Sequence, residues 1–294
     1  MTRGRPLASC LVTAATAISA CGGGPTDPGS TGGELLRGSE GVDYLGGRPF
    51  SFSPEGRWMV FSTRPPGEEG FLEAYTIPKL ETYVRYDTRT LEGTKVEVSE
   101  ELRDSLGPDA SMLFDGGCWI PVDGGWRVVL RDAFSRALGF DPEAPGPEWR
   151  TVEVDRSTLA ERCPFEDPLT GGSVTLGRFR VDGGNSKHIT IVDSRAPDRV
   201  LASHRTRAPG RTLLLGEARP SPDGRRLAYT VSPNFGTFVG RARMYVVSVE
   251  ESGGAPQALA SSVFALRWAD AGEGLYAHVR AGGVDAIYRW RIEP

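Results

Sequence analysis

The chain has 294 residues, 39% hydrophobic and 24% charged, with 34 basic and 38 acidic side chains for a formal net charge of −4. These proportions are those of a globular protein, and no segment interleaves clustered Lys and Arg with aromatics as a nucleic-acid surface would. Beyond the N-terminus no apolar run approaches the roughly 20 residues that cross a bilayer as a helix, while 38 Gly and 22 Pro point to many short strands joined by tight turns.

Residues 1–20 have the layout of a secretory signal peptide: Arg3 and Arg5 give a positive start, and Leu7 to Ala20 is a short stretch of small and apolar residues. It ends in Ile18-Ser19-Ala20-Cys21. The segment 21–39, which opens Gly22-Gly23-Gly24-Pro25-Thr26-Asp27-Pro28-Gly29, is predicted to be a flexible tether, with one folded domain over 40–294.

Ser53-Pro54-Glu55-Gly56-Arg57-Trp58-Met59-Val60-Phe61 is the first strong local signal, and it recurs as Ser221-Pro222-Asp223-Gly224-Arg225-Arg226-Leu227-Ala228-Tyr229. Pro presets φ, the acid caps the turn, Gly takes the positive φ, and the apolar run that follows predicts a buried strand. Weaker copies start at Pro168 and Trp268, and one more starts at either Pro108 or Pro121. After each copy a further strand is expected: 82–87, 151–155, 188–193, 244–247 and 287–290. Leu102 to Leu106 predicts a single helical turn within a loop. Residues 40–48, with Val42, Tyr44 and Leu45, are expected to supply the outer strand of the last unit and so join the two ends of the chain.

The long connections carry the binding candidates. Arg64 to Lys79 holds Phe71 and Tyr75, and Ser232 to Arg241 holds Phe235, Phe238 and Arg241. If the Ser-Pro-acid-Gly turn joins the first two strands of a unit, both connections emerge on the opposite face. Aromatics and arginine together there would form a protein-binding rim. A third insertion, 133–147, has no assigned face.

Two cysteines, Cys118 and Cys163, remain in the expected mature domain, and in an oxidising compartment an even pair predicts a disulfide, with two buried thiols as the alternative. Neither has a second ligand at zinc spacing. His188, His204 and His278 read as structural or surface residues. No nucleophile elbow, phosphate loop or His-Glu-x-x-His motif occurs, so no catalytic residue, metal or cofactor is assigned.

Two resemblances sharpen these readings. Ile18 to Cys21 resembles the lipobox of bacterial lipoproteins, which implies cleavage before Cys21, acylation of its sulfur, and a place in the cell envelope. Gly22 in place of Asp implies the outer membrane. The repeated Ser-Pro-acid-Gly-Arg motif resembles that of TolB-like, WD40-like propellers and implies an all-β fold, a β-propeller of five to six four-stranded blades. The expected function is therefore a lipid-anchored extracytoplasmic module or scaffold that binds a protein or glycan and is not an enzyme. The alternative is a lyase or hydrolase with its site in the propeller funnel.

Overall fold

The computed structural model describes residues 26–42, 50–63, 80–106, 118–123, 125–131, 137–155, 157–158, 161, 172–236, 240–250, 255–269 and 274–292. These form five antiparallel sheets that follow one another along the chain. The first contains Phe50–Phe52, Trp58–Ser62, Tyr83–Asp87 and Glu92–Lys95. The second contains Cys118–Val122, Gly125–Arg131, Ala137–Phe140 and Glu148–Val152, with Glu97–Val98 added in parallel at Glu148. In the third are Ser173–Leu176, Phe179–Asp182, His188–Asp193 and Ala196–Arg205. The fourth has Thr212–Pro220, Arg226–Asn234, Arg243–Ser248 and Gln257–Ser261, with Asn185–Ser186 on its first strand. The fifth has Val263–Trp268, Leu275–Ala281 and Val284–Trp290, and its fourth strand is Gly33–Leu35 from the other end of the chain.

Four pairs of sheets pack face to face. Trp58, Val60 and Tyr83 of the first share a cluster with Trp119, Val128, Leu138 and Trp149 of the second. Phe179, Val181, Ile189 and Ile191 of the third pack on Leu213, Leu227, Tyr229 and Val247 of the fourth. Ala228, Met244 and Val246 on the fourth sheet's other side meet Leu266, Trp268 and Ala277 of the fifth. The fifth returns to the first through Ala265, Tyr276 and Ile287 against Phe50, Met59 and Phe61. A strand covered on both faces has no polar side, which is why Trp58 to Ser62 and Leu227 to Ser232 are buried throughout. This is a nearly all-β propeller, with five sheets among the described residues.

The repeated motif is a five-residue turn closed by its serine. Ser53 N donates to Trp58 O at 2.8 Å, and Trp58 N donates back to Ser53 Oγ at 2.9 Å. Ser221 and Arg226 repeat both bonds at 2.8 and 2.9 Å. Gly56 and Gly224 take φ of 71° and 68° in these turns. Side chains rarely adopt that conformation, so the glycine is required. Asp223 accepts from Ser221 Oγ and Arg225 N, and these bonds hold its carboxyl below the usual range. Ala269 N donates to Gly274 O at 3.0 Å, the same five-residue closure in the fifth sheet at the Trp268 copy.

Several expectations need correction. The tether does not extend to residue 39. Thr31 Oγ1 donates to Leu259 O and accepts from Trp290 Nε1, Leu36 and Ser39 are buried, and Gly33 lies so close to Trp290 that a Cβ would meet the ring at 2.8 Å. The strand that joins the chain ends is accordingly Gly33–Leu35, not 40–48. Among those residues Gly41 N donates to Asp285 O at 2.8 Å and Val42 makes an isolated bridge to Thr63, and 43–48 lie outside the described residues. Residues 151–155 fall in and after the second sheet's fourth strand, because Ala137–Phe140 already serves as its third. The strand of the Pro168 copy, Ser173–Leu176, opens the third sheet, and its hairpin turns at Gly177. Of the two alternatives for the remaining copy, Pro121 sits beside the first turn of the second sheet, where Val122 pairs with Gly125; Pro108 lies outside the described residues. The helical turn is a seven-residue helix, Glu100–Leu106, capped by Ser99 Oγ on Leu102 N.

Candidate functional site

Each sheet has one end that carries the tight turn between its first two strands and another that carries the connection between its second and third. The connections from Thr63 to Thr82 and from Asn234 to Arg243 both emerge at the second kind of end, hereafter the loop face. The opposite turn face holds the turns at 53–58, 87–92, 193–196 and 221–226.

Of the candidate rim residues, Phe235 and Arg241 fall within the described residues and lie on this loop face; Phe71, Tyr75 and Phe238 fall outside them. Phe235 is half-buried. Its ring is covered by the guanidinium of Arg211, 4.5 Å from the centroid, and its edge lies against Gly240. Arg241 is exposed. Around them Thr212 Oγ1 donates to Asn185 Oδ1 at 2.8 Å, Asn234 Nδ2 donates to the same oxygen at 3.4 Å, and Gly240 N donates to Pro233 O at 2.7 Å. These bonds tie 185, 212, 234 and 240 into one surface across the third and fourth sheets.

That surface is basic. Segments 183–188, 205–212 and 233–243 contain Lys187, Arg205, Arg207, Arg211, Arg241 and Arg243, and no Asp or Glu. Lys187, Arg205, Arg207, Arg211 and Arg241 are exposed. The pairing of Asn185–Ser186 with Leu213 and Leu214, and of His188 with Arg205, brings the first two segments together. Sequence reading missed this sector because its charges come from three segments spread over about sixty residues and joined only by the sheets; the Arg-x-Arg run at 205–207 was the available signal.

The other polar groups are built into the frame. His204 is 2% exposed, with Nε2 2.7 Å from the Tyr229 hydroxyl and its ring 4.6 Å from Tyr245. Burial, with a smaller push from His188, lowers its pKa to about 4, and burial raises that of Tyr229. His278 Nε2 is 3.1 Å from Asp285, which also binds Arg280. Burial works to raise the Asp285 pKa, but the bonds from His278 and Arg280 together hold it low. Glu217 accepts from Leu266 N at 2.6 Å and from Arg267 at 2.7 Å, bridging the first strands of the fourth and fifth sheets. Arg57 and Arg85 cover Trp58 at 4.4 and 4.6 Å, and Glu143 of the second sheet's loop binds both Arg57 and Trp58 Nε1. Arg85 also donates to Pro142 O and Ala144 O, latching that loop to the first sheet.

His188 Nε2 lies 2.7 Å from Ser203 Oγ on the exposed face of the third sheet. A nucleophile pair of this kind needs an acid to orient the ring. Among the described residues none does so, and Thr190 Oγ1 shares the same nitrogen. No group of three or more His, Cys, Asp or Glu side chains able to hold a metal occurs among the described residues. Cys118 begins the second sheet, half-buried beside Ile120, Val129 and Val152; Cys21 and Cys163 lie outside the described residues. No described helix is long and apolar enough to cross a membrane.

No protein-family model and no curated protein matches the chain. Among solved structures it is similar to the β-propeller domain of Cps50 (Swd1) from Myceliophteria thermophila, at 10% identity and TM-score 0.30, over 89% of this chain and 100% of that one. It is also similar to hydrazine synthase from Kuenenia stuttgartiensis, at 13% and 0.29 over 84% and 78%. The Dos1 propeller matches at 14% and 0.24, over 81% of this chain and 53% of that one. Likeness at this level carries no functional reading.

Proposed function

We propose that this chain is a lipid-anchored extracytoplasmic β-propeller of TolB-like type that acts as a binding module or scaffold, holding a protein or glycan on its loop face. The observation that carries the reading is the placement of the long connections. The longest connection within any sheet, 63–82, leaves the loop face together with 234–243, and loops on a rigid scaffold are where binding surfaces are built. The signal-like segment 1–20 and Cys21 support acylation and an address in the envelope, with Gly22 favouring the outer membrane. A bridge between Cys118 and Cys163 belongs to the same reading and is supported by the bonded state of Cys118.

The test places a photo-crosslinking residue at Lys95, exposed at the loop-face end of the first sheet, and at Arg89 on the turn face, in cells carrying the full chain. A single discrete adduct from position 95 and none from 89 is expected. Adducts from both positions alike, or from neither, would remove the binding-face reading. The intact mass of the N-terminal peptide tests the anchor separately, since an unmodified Cys21 in an envelope fraction contradicts it.

A further inference from the structure

The chain enters the fold at a telling place. Thr26 O accepts hydrogen bonds from Ser261 N and Ser261 Oγ, both at 3.3 Å, and Ser261 pairs directly with Arg243. The first described residue, Thr26, therefore lies on the loop face, at the border of the basic sector. Four residues, 22–25, separate it from Cys21, so the five steps between them span at most about 18 Å when fully extended. A lipid on Cys21 would hold Lys187, Arg205, Arg207, Arg211 and Arg241 close to the headgroups of the bilayer that receives it.

We propose that this basic sector of the loop face, over the third and fourth sheets, docks on an anionic phospholipid surface. The inference rests on the anchor reading above. The acids bordering the sector already have partners: Asp27 accepts from Gly29 N, Glu40 from Gly38 N, and Asp285 from His278 and Arg280. Among the described residues, Lys187, Arg205, Arg207, Arg211 and Arg241 are in no ion pair, so their charge is available to lipid phosphates. Juxtamembrane basic residues attract anionic leaflets with about 1 kcal/mol each, a factor of about five in partitioning per charge. Contact on one side of the ring assigns Phe235 and Arg241 to the membrane and leaves the loop face of the first sheet, with its connection 63–82, to a macromolecular partner.

The experiment uses the full chain carrying Cys21→Ser, so that no acyl chain contributes, and measures co-sedimentation with vesicles of phosphatidylcholine with or without phosphatidylglycerol. Binding only to the anionic vesicles, falling with added salt, is expected. The triple variant Arg205→Gln, Arg207→Gln, Arg241→Gln should weaken it by about 100-fold. A control triple on the turn face, Arg89→Gln, Arg195→Gln, Arg225→Gln, should leave it within about twofold of the parent, because those positions point away from the bilayer. Indifference to phosphatidylglycerol, or equal losses from the two triples, would overturn the docking. Binding to a soluble sulfated glycan but not to vesicles would assign the sector to a polyanionic sugar and also overturn it. Failure of the anchor is read separately from the Cys21 mass of the unsubstituted protein. Vesicle binding with an unmodified Cys21 removes the anchor alone, whereas an acylated Cys21 with no binding by the Cys21→Ser chain removes the docking alone.

Discussion

The pair formed by His204 and Tyr229 should make the ring acid-sensitive in a defined window. His204 is 2% exposed between the third and fourth sheets and faces the titratable groups of Tyr229, Tyr245 and His188. Its pKa falls from 6.5 to about 4 in the folded chain, chiefly because burial penalises the charged ring. In the unfolded chain the same imidazole takes up its proton near pH 6.5. Between these values the unfolded state binds more protons than the folded one, so stability falls as the pH drops through the window. At ~1.36 kcal/mol per pH unit the full difference is about 3 kcal/mol, a large share of a typical folding free energy. The carboxylates with lowered values, Asp193, Asp223 and Asp285, act in a separate range: their contribution is present above about pH 4 and is lost below it. Urea unfolding followed by tryptophan fluorescence across the window measures the slope. The double variant His204→Phe, Tyr229→Phe removes both polar partners, should cost little near neutral pH, and should flatten the profile down to about pH 4. His204→Phe alone leaves the Tyr229 hydroxyl buried without that partner and should cost about 1–3 kcal/mol at neutral pH. An unchanged slope in the double variant, or a His204 resonance titrating near 6.5, would refute the assignment.

Three further outcomes follow from the frame. Ser221→Ala removes the acceptor of Arg226 N and should lower stability by about 1–2 kcal/mol; Ser53→Ala should cost a similar amount, since the two turns share their hydrogen bonds, and denaturant midpoints report both. Glu217→Ala leaves Leu266 N without its charged acceptor and should cost about 2–3 kcal/mol, measured in the same way. Deleting residues 26–35 bares the edge strand at Val284–Trp290 and should produce self-association by light scattering together with a lower thermal midpoint, because an open sheet edge pairs with other chains.

The parts of this fold that were legible in sequence are those written in local chemistry. Pro54 and Pro222, with an acid and a glycine following, announce their turns because each residue type meets a backbone demand within the turn itself. Leu227 to Tyr229 reads as a buried strand for the same reason. The misread elements have their cause elsewhere in the chain. Gly33-Glu34-Leu35 lacks the alternation of a strand because it is an outer strand, and what holds it is the distant Trp290, packed on Gly33 and bonded to Thr31. Val152 and Val154 look like a third strand, but Ala137–Phe140, short and containing Gly139, had taken that place. The Pro168 copy has the composition of the motif without its five-residue serine closure among the described residues, and the third sheet turns instead at Gly177. The basic sector was illegible for a topological reason: Lys187, Arg207 and Arg241 become neighbours only when Asn185–Ser186 leaves the third sheet to pair with the fourth.

Pairing of the N-terminal strand with the fifth sheet joins the two ends of the chain and fixes where the proposed anchor would depart, and one cross-link tests it directly. Glu34 and Arg289 are facing partners on adjacent antiparallel strands, so the full chain carrying Glu34→Cys and Arg289→Cys should oxidise to an intramolecular 34–289 disulfide, found by peptide mass in the monomer fraction. Only intermolecular bridges, or no 34–289 peptide at all, would mean that the two ends of the chain do not meet and that the fifth sheet does not take its fourth strand from Gly33–Leu35.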